Sequence, residues 1–177
     1  MTAAQINLNH KIHVITKKEE LDSVRIPGKV IVVLDILFAT TTMVTALAHG
    51  AMEVIPVLDE AAARTYAKGL KENSFVLAGE LYAEVLDGFA HPAPLSLLEH
   101  GVTGKTVVYS TTNGTVAMTQ ATGAARVYCG ALLNCRVGRM MVAKGLAREV
   151  EFACRLDAFP IVPALEEGRV RLFPIPR

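Results

Sequence analysis

Apolar residues fall in short runs set apart by stretches of helical spacing. Residues 29–35 (KVIVVLD) form a continuous β-branched run after the Pro27-Gly28 turn, and such a run suits a strand covered on both faces. Met43, Val44, Leu47 and Ala48 then recur at helical spacing, with Thr40, Thr41 and Thr42 available as N-caps and Gly50 placed to close the helix in a left-handed conformation. Residues 53–57 (EVIPV) read as the next strand, and Asp59 is positioned to cap an alanine-rich helix over 60–70. Further strands are predicted at 11–15, 74–78, 105–109, 126–129 and 149–153, with helices over 116–121 and 132–146. Gly88, Pro92 and Pro94 make 81–98 a loop with a turn or two of helix.

Strand and helix therefore alternate about every 20–25 residues, the pattern of βαβ units. The predicted fold class is α/β, a three-layer α/β/α arrangement around a mainly parallel sheet. Residues 1–154 form one domain in this reading. Beyond Cys154 the pattern stops, and 155–177 reads as a Pro-rich C-terminal tail, either an arm against the body or a disordered segment.

Composition narrows the function classes. Hydrophobic residues make up 51% of the 177 and charged residues 20%, which argues for a packed core. Eighteen Lys and Arg against seventeen Asp and Glu leave no basic surplus to neutralise a phosphate backbone or an anionic membrane. No nucleic-acid or membrane partner is expected. Three cysteines with no CxxC pair and no signal-peptide pattern at the start read as reduced thiols in a cytoplasmic protein. Cys129 and Cys135 are expected to be buried apolar residues, not nucleophiles.

Ligands of parallel sheets bind where strand C-termini open. The predicted exits carry Asp35 with Thr40, Thr41 and Thr42; then Gly79-Glu80; then Ser110, Thr111, Thr112, Asn113, Gly114 and Thr115; then 130–134, ending in Asn134. Asp35 and Glu80 make a magnesium site plausible, since Mg²⁺ takes one or two carboxylates and leaves other positions to water and phosphate. Either acid also has a plainer reading, Asp35 as a cap or paired strand end and Glu80 as a solvated turn. The 110–115 stretch suits an anion at a helix start, or ordinary capping by Ser and Thr. His91, beside Pro92, could reach the same edge. Two tempting motifs fail: the GVTGKT at 101–106 has Glu99 where a P-loop has its first glycine and precedes a strand, and Asp35-Ile36-Leu37 lacks the second aspartate of an aspartyl-phosphate nucleophile motif.

Residues 33–42 (VLDILFATTT), 46–51 (ALAHGA), 54–57 (VIPV), 78–80 (AGE), 88–89 (GF), 110–115 (STTNGT) and 130–134 (GALLN), in this order, resemble the 2-phosphosulfolactate phosphatase family over about 29–154. The resemblance implies a magnesium-dependent cytoplasmic phosphatase, a homo-oligomer, that converts 2-phosphosulfolactate to sulfolactate on a route to coenzyme M. It implies roles for Asp35 and Glu80 as acids and for 110–115 as an anion loop. The chain departs from the family in three places. Phe38 stands where the family usually has Arg; Ala90-His91-Pro92-Ala93-Pro94 replaces an acid- and amide-containing loop; and the family continues beyond 150–154 where this chain turns to Pro and Arg, as a truncated or frame-altered C-terminus would.

The expected activity is a Mg²⁺-dependent hydrolysis of a small phosphorylated or sulfonated acid. Asp35 and Glu80 are both catalytic and metal-binding residues in this reading, with Asp35 either a ligand or a nucleophile. Thr40 to Thr42, His91, 110–115 and Asn134 hold the substrate. The alternative is a non-catalytic anion-binding or assembly protein that keeps the phosphatase-like core.

Overall fold

A computed structural model describes residues 11–35, 37–130, 143–153, 159 and 161–172. Eight strands form one sheet in the order β1-β6-β7-β8-β2-β5-β3-β4. They are β1 (Val30–Leu34), β2 (Glu53–Val57), β3 (Phe75–Leu81), β4 (Glu84–Val85), β5 (Thr106–Ser110), β6 (Arg126–Gly130), β7 (Pro163–Glu166) and β8 (Arg169–Leu172). Among the described residues the helices are α1 (Ala39–Ala48), α2 (Glu60–Ala67), α3 (Pro94–His100), α4 (Gly114–Gln120) and α5 (Ala147–Ala153), preceded by a 3₁₀ turn at Lys18–Glu20. None of the described helices is long and apolar enough to cross a membrane.

The α/β class holds, and the strands β2, β5 and β3 are covered on both faces. β5 lies between β2 and β3, all parallel, with Val54, Val107 and Val76 in one row. That row packs with Met43, Ala46 and Leu47 of α1, Leu97 of α3 and Met118 of α4. The opposite face, with Ile55, Val57 and Val108, packs on Ala63 of α2. Period-2 alternation thus sends neighbouring strand residues to helices on opposite sides. Buried side chains such as Met43 and Leu97 each contribute about 1.5–3 kcal/mol. Asp59 caps α2 as expected, its Oδ1 accepting from the Ala62 N–H at 2.8 Å. Gly50 closes α1 at φ +87°. Cys129 is buried against Met43 and Met118 sulfurs, and burial pushes its thiol up to about 12, which leaves it inert.

Five expectations are corrected or completed. The 29–35 run is not covered on both faces: β1 is an edge strand, and alternate residues Val30, Val32 and Leu34 are exposed. Residues 11–15 are not a strand; Ile12 and Val14 are exposed. The segment expected as a strand at 149–153 is helix α5, because Leu146, Val150 and Ala153 recur at helical spacing against Phe38 and Ala93. A run this short carries no period that separates the two states. β3 continues to Leu81 and turns back as the short β4, inside the expected loop. Beyond 154, β7 and β8 form a hairpin that enters the sheet between β6 and β2, antiparallel to both, so the sheet is mixed. The helix expected over 132–146 lies largely outside the described residues.

A buried acid fastens this hairpin. Glu53, at the start of β2, accepts hydrogen bonds from Arg169 Nη1 at 3.1 Å and Arg171 Nε at 2.9 Å, and pairs with Arg171 Nη2. Burial alone would raise the Glu53 carboxyl; the two guanidiniums outweigh it and hold it below its ordinary range. Glu149 does similar work between helices. Its carboxylate accepts from the Leu95 and Ser96 N–H groups at 2.8 Å and from the Ser96 hydroxyl at 2.7 Å, capping α3 from α5.

Candidate functional site

The parallel strands β2, β5 and β3 end at one edge, and a pocket of about 570 Å³ opens there. Its walls are the turn and first residues of α2 (Asp59, Glu60, Arg64), the β3–β4 hairpin (Glu80, Leu81, Tyr82), the end of β5 (Ser110, Thr111, Thr112), and Lys18 from the N-terminal turn. This is where an α/β sheet offers a ligand its loops.

The 110–115 loop holds two acids. Glu80 Oε1 accepts from the Thr112 N–H at 2.7 Å; Oε2 accepts from the Thr112 hydroxyl at 2.9 Å and from the Ala83 N–H at 2.7 Å. Asp35 accepts from the N–H groups of Leu37, Gly114 and Ala39. The loop's donors thus face anions, as expected, but the anions at Thr112 and Gly114 are the chain's own carboxylates. Gly114 is required here. A Cβ on it would lie 2.3 Å from Ala39 Cβ and 2.5 Å from Asp35 Oδ2.

Asp35 is not among the described residues lining the pocket. It lies behind the loop, against Gly114, yet within electrostatic reach of Glu80. Burial first, and the Glu80 charge second, push the Asp35 carboxyl above its ordinary 3.8; the three N–H donors pull the other way without cancelling the rise. An acid in this state is one whose charge the surroundings do not neutralise.

The donor chemistry suits magnesium. Each carboxylate has roughly four acceptor positions, and the bonds named above occupy three on each. The described residues include no cluster of three or more His, Cys, Asp or Glu placed for a metal. A pair is what Mg²⁺ commonly takes from a protein when phosphate and water complete its shell.

Other expected contacts are placed elsewhere. The Thr40 hydroxyl donates to the Asp35 carbonyl at 2.7 Å and accepts from the Asp35 N–H at 2.9 Å, closing the turn before α1. Thr42 donates to the Pro92 carbonyl at 2.8 Å, and Thr41 is buried. Thr111 and Thr115 bond each other at the start of α4, the Thr115 hydroxyl accepting from the Thr111 N–H at 2.8 Å. His91 Nδ1 accepts from the Ala93 N–H at 3.1 Å; burial lowers its pKa against the opposing pull of Glu149. It serves the start of α3 and does not line the pocket. Phe38 is buried with Ala93 and Ala153, a packing role in place of an arginine's grip. Asn134 lies outside the described residues.

Sequence reasoning missed Lys18, Arg64 and Tyr82. Lys18 sits in a mixed-charge run (KKEE) that reads as a solvated turn. Arg64, four residues after Glu60, reads as a helix-surface pair, and it makes that pair at 2.8 Å while its guanidinium also donates to the Asp87 carbonyl and stacks over Phe89.

Comparison with known proteins gives the family. The 2-phosphosulpholactate phosphatase family model matches residues 15–137. A probable 2-phosphosulfolactate phosphatase of Clostridium beijerinckii is 39% identical over 125 residues, 70% of this chain and 52% of the relative. One of Symbiobacterium thermophilum is 45% identical over 114 residues, 63% of this chain and 49% of the relative. One of Caldanaerobacter subterraneus subsp. tengcongensis is 41% identical over 107 residues, 60% and 44%. The chain spans about half the length of the curated relatives it matches. It belongs to the 2-phosphosulpholactate phosphatase family.

Proposed function

We propose that this family member hydrolyses a small phosphate ester such as 2-phosphosulfolactate, releasing sulfolactate and inorganic phosphate, with Mg²⁺ held between Asp35 and Glu80. The observation that carries the reading is the pair itself: two carboxylates drawn together by one loop, one of them with its pKa raised by burial and by the other's charge. A structural pair of acids would have cations around it, as Glu53 has. A bound Mg²⁺ would supply charge neutralisation for the phosphoryl oxygens. The chain's own part is orientation. Thr112 and Ala83 fix both Glu80 oxygens, and Gly114 and Ala39 fix Asp35. In the balanced reaction, water adds to phosphorus, the ester P–O bond breaks, and the proton from water ends on the departing alkoxide.

The test is phosphate release from 2-phosphosulfolactate and simple phosphate monoesters, with Mg²⁺ and with EDTA, for the wild type, Asp35→Asn and Glu80→Gln. The expected result is Mg²⁺-dependent turnover lowered about 100-fold or more in each variant. Equal turnover by the wild type and Asp35→Asn removes the pair from the mechanism.

Phe38 favours a second reading. With an apolar packing residue where the resembled family has a guanidinium, the core would serve anion binding or assembly without chemistry. Sulfolactate binding measured by calorimetry, together with no phosphate release, would establish that reading.

A further inference from the structure

We propose that Lys18 is the cationic contact for the anionic group of the pocket's ligand, and that Asn113 is the residue that positions it. The proposal rests on the phosphatase reading for its substrate class, a phosphate ester or its acid product, and on separate observations for the residue. The 110–115 loop was expected to grip the substrate anion, but its Thr112 and Gly114 N–H groups are turned to Glu80 and Asp35. Phe38 supplies no charge. The pocket still needs a positive group, because three of its lining residues are acids: Asp59, Glu60 and Glu80. Arg64 is engaged by Glu60 and the Asp87 carbonyl. Lys18 lines the same pocket and reaches it from 95 residues away in sequence, donating to Asn113 Oδ1 at 2.7 Å.

The geometry suits an anion handle. Lys18 is about three-quarters buried as a side chain, and beside Asn113 it has one further polar contact among the described residues, Glu19 at 3.1 Å. An ammonium has three N–H donors, so one remains for a phosphoryl, sulfonate or carboxylate oxygen. Asn113 accepts without adding a formal charge, so it fixes the ammonium without neutralising it as a carboxylate would. Glu19 is exposed and its pairing is screened by solvent.

The experiment is isothermal titration of the full chain with inorganic phosphate and with sulfolactate, with Mg²⁺ and with EDTA, for the wild type, Lys18→Met, Lys18→Arg and Asn113→Ala. Steady-state kinetics on 2-phosphosulfolactate runs in parallel. Lys18→Met is expected to weaken both probes about tenfold or more, as loss of a charge-assisted hydrogen bond does. Lys18→Arg should keep affinity within about threefold, and Asn113→Ala should fall between them. In kinetics the loss should appear mainly in KM. Arginine rescue and a flattened salt dependence in Lys18→Met separate a charge contact from a merely structural tether. Wild-type affinity in Lys18→Met overturns the proposal, and so does a wild type that binds neither probe. Lys18-dependent binding without ester hydrolysis sustains the proposal and defeats the phosphatase reading; hydrolysis with unchanged affinity in Lys18→Met does the reverse.

Discussion

Two acid clusters in this molecule follow opposite rules. At the beginning of β2, Glu53 is buried and has two guanidiniums bonded to it, which hold its carboxyl low. Past the end of β1, Asp35 is partly buried with Glu80 for a neighbour, and its carboxyl is held high. Both acids occupy strand ends, but at different ones. The entry end of a parallel strand serves cohesion; the exit end serves ligands. Among the described residues, neutralising charge is built into the first cluster and not into the second, which in the proposed function a divalent cation and a phosphate would complete. What separates the two acids is therefore what surrounds them, and on the proposed reading that difference marks Asp35 as the functional one.

The largest effect is expected where the open cluster is packed most tightly. Gly114→Ala forces a methyl into Ala39 and the Asp35 carboxylate. Loss of about 3 kcal/mol by denaturant unfolding is expected, with turnover falling about 100-fold because Asp35 must move. Next is the closed cluster. Glu53→Gln should lose about 2 kcal/mol, less than a fully enclosed pair because both guanidiniums are half in solvent, and should leave phosphate affinity unchanged. Its pH dependence has a definite sign. Because the folded carboxyl sits below its ordinary 4.5, the stabilisation is present above that pH and disappears as pH falls through the folded value. The gap between wild type and Glu53→Gln should close in acid.

Asp35 runs the other way. Its folded pKa is raised, so its contribution is intact below about 3.8 and declines as pH rises through the folded value. Carboxyl ¹³C NMR should place its midpoint above 3.8 in the wild type. Glu80→Gln should shift that midpoint down but not all the way, since burial is the larger cause. Mg²⁺ should shift it down in the wild type. A midpoint that ignores both changes would mean that the two carboxylates do not share a site.

The open cluster was more legible in the sequence than the closed one. Asp35 at the end of an apolar run and Glu80 after another were visible because a lone acid is unexpected there, and the 110–115 loop because six polar residues exceed one cap. What the loop binds was not visible: hydroxyl and glycine content signals donors, and only folding decides that Glu80 and Asp35 reach them first. Glu53 was hidden because its partners lie 116 and 118 residues away. The β7–β8 hairpin had a local signal, Pro163-Ala164-Leu165-Glu166 and Arg169-Val170-Arg171-Leu172 around Glu167-Gly168, but the density of prolines outweighed it. Pro163 is tolerated as the first residue of its strand. Lys18 was hidden for the reason Glu53 was, since nothing near it in the chain names Asn113.

The smallest expected effect concerns the turns of the two hairpins. Two-residue connections of this kind need positive φ at both positions, which favours glycine. The β7–β8 turn has Glu167 at +49° and Gly168 at +75°. The β3–β4 turn at the pocket has Tyr82 at +52° and Ala83 at +65°, with no glycine at all. A left-handed alanine costs about 1 kcal/mol, and glycine loses part of that gain through the entropy of its unfolded chain. Ala83→Gly should therefore stabilise by about 0.5 kcal/mol, and Gly168→Ala should destabilise by about the same amount, both read by urea unfolding. The activities should part in the opposite sense. The Ala83 N–H holds Glu80 Oε2 at 2.7 Å, so a looser turn there loosens the acid, and Ala83→Gly should lower turnover while raising stability. Gly168→Ala acts on a hairpin that fastens the sheet and touches no described pocket residue among its bonded partners, so it should leave turnover per folded molecule as it was. A stabilised Ala83→Gly with undiminished turnover would show that the strained turn serves folding geometry alone.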